Sequence, residues 1–145
     1  MATMEIDYKK LGRDLHQALS EHNLEKVIPF YSDDVMVEQV VADGAVINGK
    51  EATRSFLQQT FAAMPDFRME MTSSIGSGNC ACYEWVMSGT MKGALLGIPG
   101  TGKSFTIRGT TVAELRDGKH SRISMYYDSA SWLRQLGVVP PTPKK

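Results

Sequence analysis

The chain has 145 residues, and its 16 lysines and arginines balance 16 aspartates and glutamates. One domain with a real core fits this length, and the lack of net charge argues against nucleic acid or an anionic membrane as a partner. A small neutral or apolar ligand is expected instead. The sequence has no basic segment followed by an apolar one at its N-terminus and no apolar run long enough to span a bilayer, so we expect a cytoplasmic protein.

Three helices are predicted in the first half of the chain. In the first, apolar residues from Tyr8 to Leu19 recur at three- and four-residue spacing, so that one face packs inward with His16 at its edge. Capping and helix-breaking residues indicate the boundaries. They are Asp7 before the first helix, Asn23 before the second and Pro29 within it, Asn48 or Gly49 before the third, and Pro65 after it.

Strands dominate the second half. Apolar and polar residues alternate within 67–72, 83–91, 104–115 and 121–128, the period expected of strands with two unlike faces. A shorter strand at 35–41 precedes the third helix. Helices first and strands after them indicate an α+β fold, a cone-shaped barrel in which a strongly curved, mostly antiparallel sheet is covered by three N-terminal helices. The wide end of such a cone can stay open as a pocket.

A last short helix is predicted at 131–136, with Ser129 as its cap and Gly137 at its end. Residues 1–137 are therefore expected to form one domain. The remaining residues, 138–145, are too rich in proline for regular structure and should form a tail.

Residues 97–104 match the Walker A nucleotide-binding motif at every position. That motif binds phosphate only where a helix follows the glycine-rich loop, because the helix N-terminus supplies amide donors. The residues that follow, 105–112, are rich in β-branched side chains and alternate in polarity, which favours a strand over a helix. We therefore interpret the glycines as a wide loop between antiparallel strands and expect no nucleotide.

The two cysteines, Cys80 and Cys82, lie two residues apart in a strand-like segment. They share one face of that strand, but two ligands are too few for a zinc site, and a disulfide between such close residues would strain a strand. We expect a reduced pair and no metal.

Short motifs along most of the chain, from Tyr31 to Gly137, resemble in order and spacing the SnoaL-like polyketide cyclases. This family shares the cone fold of nuclear transport factor two, ketosteroid isomerase and limonene epoxide hydrolase. The motifs are Tyr31-Ser32-Asp33-Asp34-Val35, Gly49 with Glu51, Ala52 and Phe56, Pro65-Asp66, Trp85 with Ser88-Gly89-Thr90, Gly97-Ile98-Pro99 with Thr101-Gly102-Lys103, Arg108-Gly109, Gly118-Lys119, and Tyr127-Asp128 before Leu133-Arg134-Gln135-Leu136-Gly137. The resemblance also explains the Walker-like loop, which in this family reads close to Gly-Ile-Pro-Pro-Thr-Gly-Lys.

The resemblance implies an aldol ring closure of a polyketide ester, without metal or organic cofactor, in which a carboxyl group on the last strand acts as acid and base. By motif position this residue is Asp128, which we expect to open into the pocket. A carbon between two carbonyls is already acidic, so a partly desolvated carboxylate within reach can remove its proton. The alternative role of Asp128 is to cap the helix that follows it.

Hydrogen-bond donors must hold the enolate oxygen that such a reaction forms. The candidates are Tyr126, Tyr127, Trp85 and Arg108. Alternation places Tyr126 on the same strand face as Asp128 and turns Tyr127 the other way, so we expect Tyr126 to be the tyrosine that contacts the substrate.

Three further residues complete the predicted site. Met91 follows the Gly-Thr pair where many cyclases of the family have a histidine, and it makes the cavity more apolar. Glu38 could be the base of an isomerase-type reaction or simply the polar side of an alternating strand. Arg108 could contact the substrate or form an ion pair with Glu114, Glu84 or Glu38.

Two functions remain open. One is a small cofactor-free enzyme, of the cyclase or isomerase type, that acts on a hydrophobic carbonyl compound. The other is a non-catalytic ligand-binding or dimerisation module with the same fold. Val86, Val112 and the tyrosine strand could cover the exposed sheet face in a homodimer.

Overall fold

The computed structural model describes residues 5–42 and 44–140. Its elements run in chain order as α1 (Tyr8–Ser20), α2 (Leu24–Val27), a short 3-10 helix (Ile28–Phe30), β1 (Tyr31–Gln39), β2 (Ala45–Asn48), α3 (Lys50–Ala63), β3 (Arg68–Ser77), β4 (Cys80–Thr90), β5 (Ser104–Arg116), β6 (Lys119–Tyr127) and α4 (Ser129–Gln135). The predicted α+β class is confirmed. The end of the predicted tail, at 141–145, lies outside the described residues.

The six strands form one sheet in the order β2-β1-β6-β5-β4-β3. β1 runs parallel to β6 and the other neighbouring strands are antiparallel, so the prediction of a mostly antiparallel sheet is confirmed. Within the described ranges β2 and β3 are edges that do not pair with each other, and the curved sheet therefore stays open. The sequence pattern did not predict the short edge strand β2.

The helix boundaries follow the predicted capping residues. Asp7 accepts a hydrogen bond from the Lys10 amide at 3.0 Å, and Asn23 accepts one from the Lys26 amide at 3.3 Å, each at the start of its helix. α3 begins after Gly49, whose positive φ of 92° suits a residue without a side chain. Hydrogen bonds over three residues thus explain why the sequence alone located the starts of α1 and α2.

Two bulges bend the sheet. The pairing of β3 with β4 shifts between Met71 and Ser73, and the pairing of β5 with β6 shifts between Glu114 and Leu115, where Ser121 is the extra residue. Each bulge increases the local twist and turns the side chains beyond it. The helices α1 and α3 pack against the face enclosed by this bend, and the hydrophobic core lies between them and the sheet.

The Walker-like residues 97–104 lie mostly in the loop between β4 and β5. Ser104 already begins β5, a strand of 13 residues, so the helix that a phosphate-binding loop requires does not follow. The amides of Lys92 and Gly93 donate to the Ala63 carbonyl at 2.9 and 3.1 Å and hold the start of the loop against α3. The predicted strand is confirmed here, while the absence of a nucleotide stays a prediction.

The outer face of the sheet, opposite the helices, carries exposed apolar side chains. Val112 is 45% exposed and Tyr126 is 43% exposed, whereas Val86 is half-buried. The homodimer that would cover this face stays a prediction.

Gly12 lets α1 lie directly on the sheet. A Cβ at this position would come within 2.6 Å of Met71 Sδ and 2.7 Å of the Tyr83 ring. We predict that Gly12→Ala lowers the free energy of unfolding by roughly 1–3 kcal/mol, because overpacking outweighs a gain of about 1 kcal/mol in helix propensity. Urea unfolding measures the change, with Lys9→Ala on the exposed face of α1 as the control. Unchanged or higher stability of Gly12→Ala would contradict this packing.

Candidate functional site

A cavity of about 100 Å³ lies between the helices and the inner face of the sheet. Aliphatic, aromatic and methionine side chains form most of its wall, and Leu95 and Leu96 contribute from the loop between β4 and β5. Among the described residues, no Asp, Glu, Lys or Arg belongs to this wall. Its polar side chains are those of His16, Tyr31, Gln39, Thr53, Thr60, Tyr83, Thr111, His120, Tyr127 and Trp132. A ligand of this cavity is therefore expected to be neutral and largely apolar.

His120 links three parts of the chain through the two nitrogens of its ring. Its Nδ1 lies 2.9 Å from the Phe30 carbonyl oxygen before β1, and its Nε2 lies 2.8 Å from the Tyr83 hydroxyl on β4. Because a carbonyl oxygen can only accept, Nδ1 carries the proton and the Tyr83 hydroxyl donates to Nε2. The Tyr83 oxygen keeps lone pairs that can accept a hydrogen bond from a ligand.

His16 lies on the inner face of α1, and its ring meets the Tyr83 ring edge to face with centroids 5.5 Å apart. Its Nδ1 lies 2.7 Å from the Gly12 carbonyl oxygen, which places the ring proton on Nδ1. The Nε2 atom makes no hydrogen bond with the residues that the structure describes. Its lone pair is therefore free to accept a proton.

Tyr127 and Gln39 form a second polar pair in the wall. The Tyr127 hydroxyl donates to Gln39 Oε1 at 3.4 Å, and the Gln39 amide contacts Met125 Sδ at 3.3 Å. The first distance is long for an O–H···O hydrogen bond, and the thioether sulfur of the second contact is only a weak acceptor. The hydroxyl and the amide can therefore exchange these partners for a ligand oxygen at small cost.

Burial disfavours the charged form of each of these rings. It lowers the pKa of His16 to about 4, against the smaller opposing effect of the hydrogen bond to Gly12, and it also lowers the pKa of His120. Burial raises the pKa of Tyr83 and raises the pKa of Tyr127 to about 12. All four shifts have the same cause, since an apolar wall disfavours the charged form of each ring.

Asp128 lies at the start of α4, where its carboxylate accepts a hydrogen bond from the Ser131 amide at 2.9 Å. The side chain is exposed and does not belong to the cavity wall, so its expected opening into the pocket is not observed. The physical reason is that β6 ends at Tyr127 and the next residue already adopts the capping conformation. The capping role is confirmed, with Asp128 rather than Ser129 as the cap, and the catalytic role stays a prediction.

Two predicted substrate contacts, Arg108 and Tyr126, border a separate shallow depression on the outer face of the sheet. Both side chains are exposed there. Arg108 forms no ion pair with any described residue, and Glu114, one of its expected partners, pairs with Arg122 instead. The structure therefore brings neither side chain to the cavity.

Trp85, Met91 and Glu38 also lie outside the cavity wall. The Trp85 side chain is buried, and its Nε1 donates to Thr111 Oγ1 at 2.9 Å. Met91 is buried in the core just after β4, and Glu38 is half-buried on β1 beside Val37, which does line the cavity. The predicted site and the cavity thus share strands but no residue.

The orientation of the β6 side chains explains much of the difference between the predicted site and the cavity wall. Ile123, Met125 and Tyr127 line the cavity, so alternation turns Tyr126 outward, and Asp128, which follows the end of β6, is exposed. The structure thus places Tyr127, rather than Tyr126, at the cavity, and the contact of Tyr126 with a substrate stays a prediction. The signal was present in the sequence, because the apolar set of alternating residues marks the inner face of a strand.

His120 was missed for a different reason. Strict alternation from Ile123 would turn it outward, but the bulge at Ser121 brings it inward opposite Leu115. No local sequence signal marks this bulge. His16, in contrast, was expected at the edge of the apolar face of α1, and the structure buries it there.

The fold and the cavity define a small α+β protein with a cavity under its helices whose wall carries no charged side chain among the described residues. The model of the family SnoaL-like polyketide cyclase matches residues 9–136. The chain therefore belongs to the SnoaL-like polyketide cyclase family. A search of curated proteins finds no match.

Solved structures share this fold. TsrD from Streptomyces laurentii aligns with a TM-score of 0.81 at 21% identity, over 93% of this chain and 100% of that chain. IdmH from Streptomyces antibioticus, a candidate polyketide cyclase, gives 0.74 at 22% identity over 91% and 99%. A hypothetical protein with a ketosteroid isomerase-like fold from Catenulispora acidiphila DSM 44928 gives 0.75 at 22% identity over 92% and 98%. At these identities the likeness shows the fold alone, the cone fold of nuclear transport factor two and ketosteroid isomerase.

Two kinds of feature are absent from the described ranges, 5–42 and 44–140. These ranges contain no helix with the length and apolar character needed to cross a membrane. Nor do they contain a group of three or more His, Cys, Asp or Glu side chains placed to hold a metal ion.

The buried histidines predict a loss of stability in mild acid. Because the folded state lowers the pKa of His16 to about 4, the unfolded chain binds more protons between about pH 6.5 and that value. The free energy of unfolding should therefore fall as the pH falls through this window, by on the order of 2 kcal/mol from His16 alone between about pH 7 and pH 5. Urea unfolding of the wild type and of His16→Phe at both pH values measures this contribution. Equal pH dependence in the two proteins would show that His16 is not held neutral.

Proposed function

We propose that this protein is a cofactor-independent enzyme that converts a hydrophobic, polyketide-like carbonyl compound by acid/base catalysis, such as an intramolecular aldol cyclisation. Membership of the cyclase family supports this class of reaction. The observation that carries the proposal is the cavity, in which an apolar wall surrounds neutral imidazoles and phenols. Such a wall suits a neutral carbonyl compound and places both a base and hydrogen-bond donors beside it.

The proposed reaction needs no co-reactant. A base removes a proton from the carbon between two carbonyls, the enolate carbon bonds to another carbonyl carbon of the same molecule, and the resulting alkoxide oxygen takes a proton back. The enolate oxygen must be held by donors where water is excluded. The Tyr127 hydroxyl and the Gln39 amide are the donors of the wall with the weakest existing hydrogen bonds. We assign them to this oxygen.

His16 is the base that the geometry favours. Its ring lies in the wall, the Gly12 carbonyl holds the proton on Nδ1, and Nε2 has a free lone pair. Its low pKa makes it a weak base, so the hydrogen that it removes must be activated by two flanking carbonyls. The substrate class is therefore a β-dicarbonyl compound rather than a simple ketone.

Asp128 is the second candidate for the base, supported by its motif position in the family. To reach the cavity, its carboxylate would have to leave the Ser131 amide and the first turn of α4. Under this arrangement the remaining residues of the predicted site would contact the substrate. These are Tyr126, Trp85, Arg108, Met91 and Glu38.

Two variants separate the candidates on an aryl-substituted linear polyketone, whose cyclised isomer is detected by chromatography and NMR. We expect His16→Phe to lower kcat by about 100-fold or more, since it removes the proton acceptor. Asp128→Asn should keep kcat within a few-fold, because asparagine caps a helix about as well as aspartate does. The reverse pattern would assign the proton transfer to Asp128.

The same assay separates an enzyme from a binding module. A polyketone that raises the melting temperature of the wild type, yet is recovered unchanged after long incubation, would contradict the enzyme and favour the ligand-binding alternative.

A further inference from the structure

Trp132 carries an unpaired buried donor. In residues 5–42 and 44–140, its Nε1 is the one buried side-chain nitrogen or oxygen without a hydrogen-bond partner. The residue is 4% exposed, and its side chain belongs to the cavity wall. Buried donors in folded proteins are nearly always paired, because an unpaired N–H has lost its water without compensation. This nitrogen therefore lacks a partner, and the side chain that carries it borders the cavity.

The helix that carries Trp132 is held firmly in place. Asp128 caps its first turn, and Gln135 near its end exchanges two hydrogen bonds with the backbone of Thr106 on β5, at 2.8 and 3.1 Å. Because both ends of α4 are fixed, the helix cannot move to bring the indole toward another acceptor of the protein.

The indole ring is fixed as well. It packs at steep angles against Phe105 and Tyr127, with centroids 5.7 and 5.8 Å away and interplanar angles of 71° and 85°. Turning the ring toward a protein acceptor would break both aromatic contacts. The N–H is thus held in one direction before any ligand arrives, as a preorganised recognition group should be.

We propose that Trp132 Nε1 donates a hydrogen bond to a carbonyl oxygen of the ligand in the cavity. An indole N–H can only donate, so its partner must be an acceptor. No Lys or Arg of the described chain lines the cavity to accompany an anion, and the acceptor is therefore neutral. The inference deepens the proposed function and rests on it for the choice of a carbonyl compound. It also makes Asp128 a positioning residue, whose cap holds the helix that presents Trp132.

Proton and nitrogen NMR of the indole groups tests this proposal. The chain has two tryptophans, and they differ in whether the indole N–H has a hydrogen-bond partner in the described chain. The N–H of Trp85 already donates to Thr111, whereas that of Trp132 is unpaired in the described chain. Cyclohexanone is the probe, and methylenecyclohexane, which has a methylene group in place of the carbonyl oxygen, is its matched control. We expect cyclohexanone to move the Trp132 indole proton signal downfield and to leave the Trp85 signal in place. Methylenecyclohexane should move neither of the two signals downfield.

Trp132→Phe assigns the signal and completes the comparison. It should raise the Kd of cyclohexanone roughly tenfold, because it removes one buried hydrogen bond. The Kd of methylenecyclohexane should change less than about twofold. The proposal would be overturned if the variant bound both compounds more weakly by the same factor. It would also be overturned if the Trp132 signal did not move at saturation, or if the wild type did not bind the ketone. If the variant does not fold, nuclear Overhauser contacts with Phe105, which packs against Trp132, assign the signal, and the wild-type shifts then decide. Binding of the ketone at Trp132 without conversion of any polyketone would contradict the enzyme and leave this inference standing.

Discussion

The two hydrogen bonds of His120 hold the cavity together, because they join β6 to the chain before β1 and to β4. They form only because the bulge at Ser121 turns the imidazole inward. Loss of either bond would leave a polar group of Phe30 or Tyr83 unpaired in an apolar wall, which is costly. The same two bonds fix the position of the ring proton and so decide which atoms of the wall can donate and which can accept.

Charged side chains are placed outside this wall. In the described part of the chain some of them form surface ion pairs, such as Lys10 with Asp14, and some cap helices, as Asp128 does. What remains in the cavity is a set of neutral donors and acceptors, whose hydrogen bonds are strong because little water competes for them. Trp132 and Tyr127 lie on the α4 side of the wall and His16 comes from α1, so donors and base reach the ligand from different elements.

Local signals predicted most of the fold, whereas the site depends on contacts between distant residues. Asp7 and Asn23 cap their helices through amides three residues away, and such signals can be read from a short stretch. His120 faces inward because of a bulge that no neighbouring residue marks. The family motif placed Asp128 at the end of the last strand, where the structure shows it capping α4, and the apolar alternation of Ile123, Met125 and Tyr127 marks the side of β6 that lines the cavity.

Nitrogen NMR of the histidine rings measures most directly whether the cavity excludes charge. At about pH 6, where an ordinary histidine is mostly protonated, the ring of His16 should be mostly neutral with the proton on Nδ1. If this ring is mostly protonated at this pH, or carries its proton on Nε2, then the cavity does not have the neutral base described above.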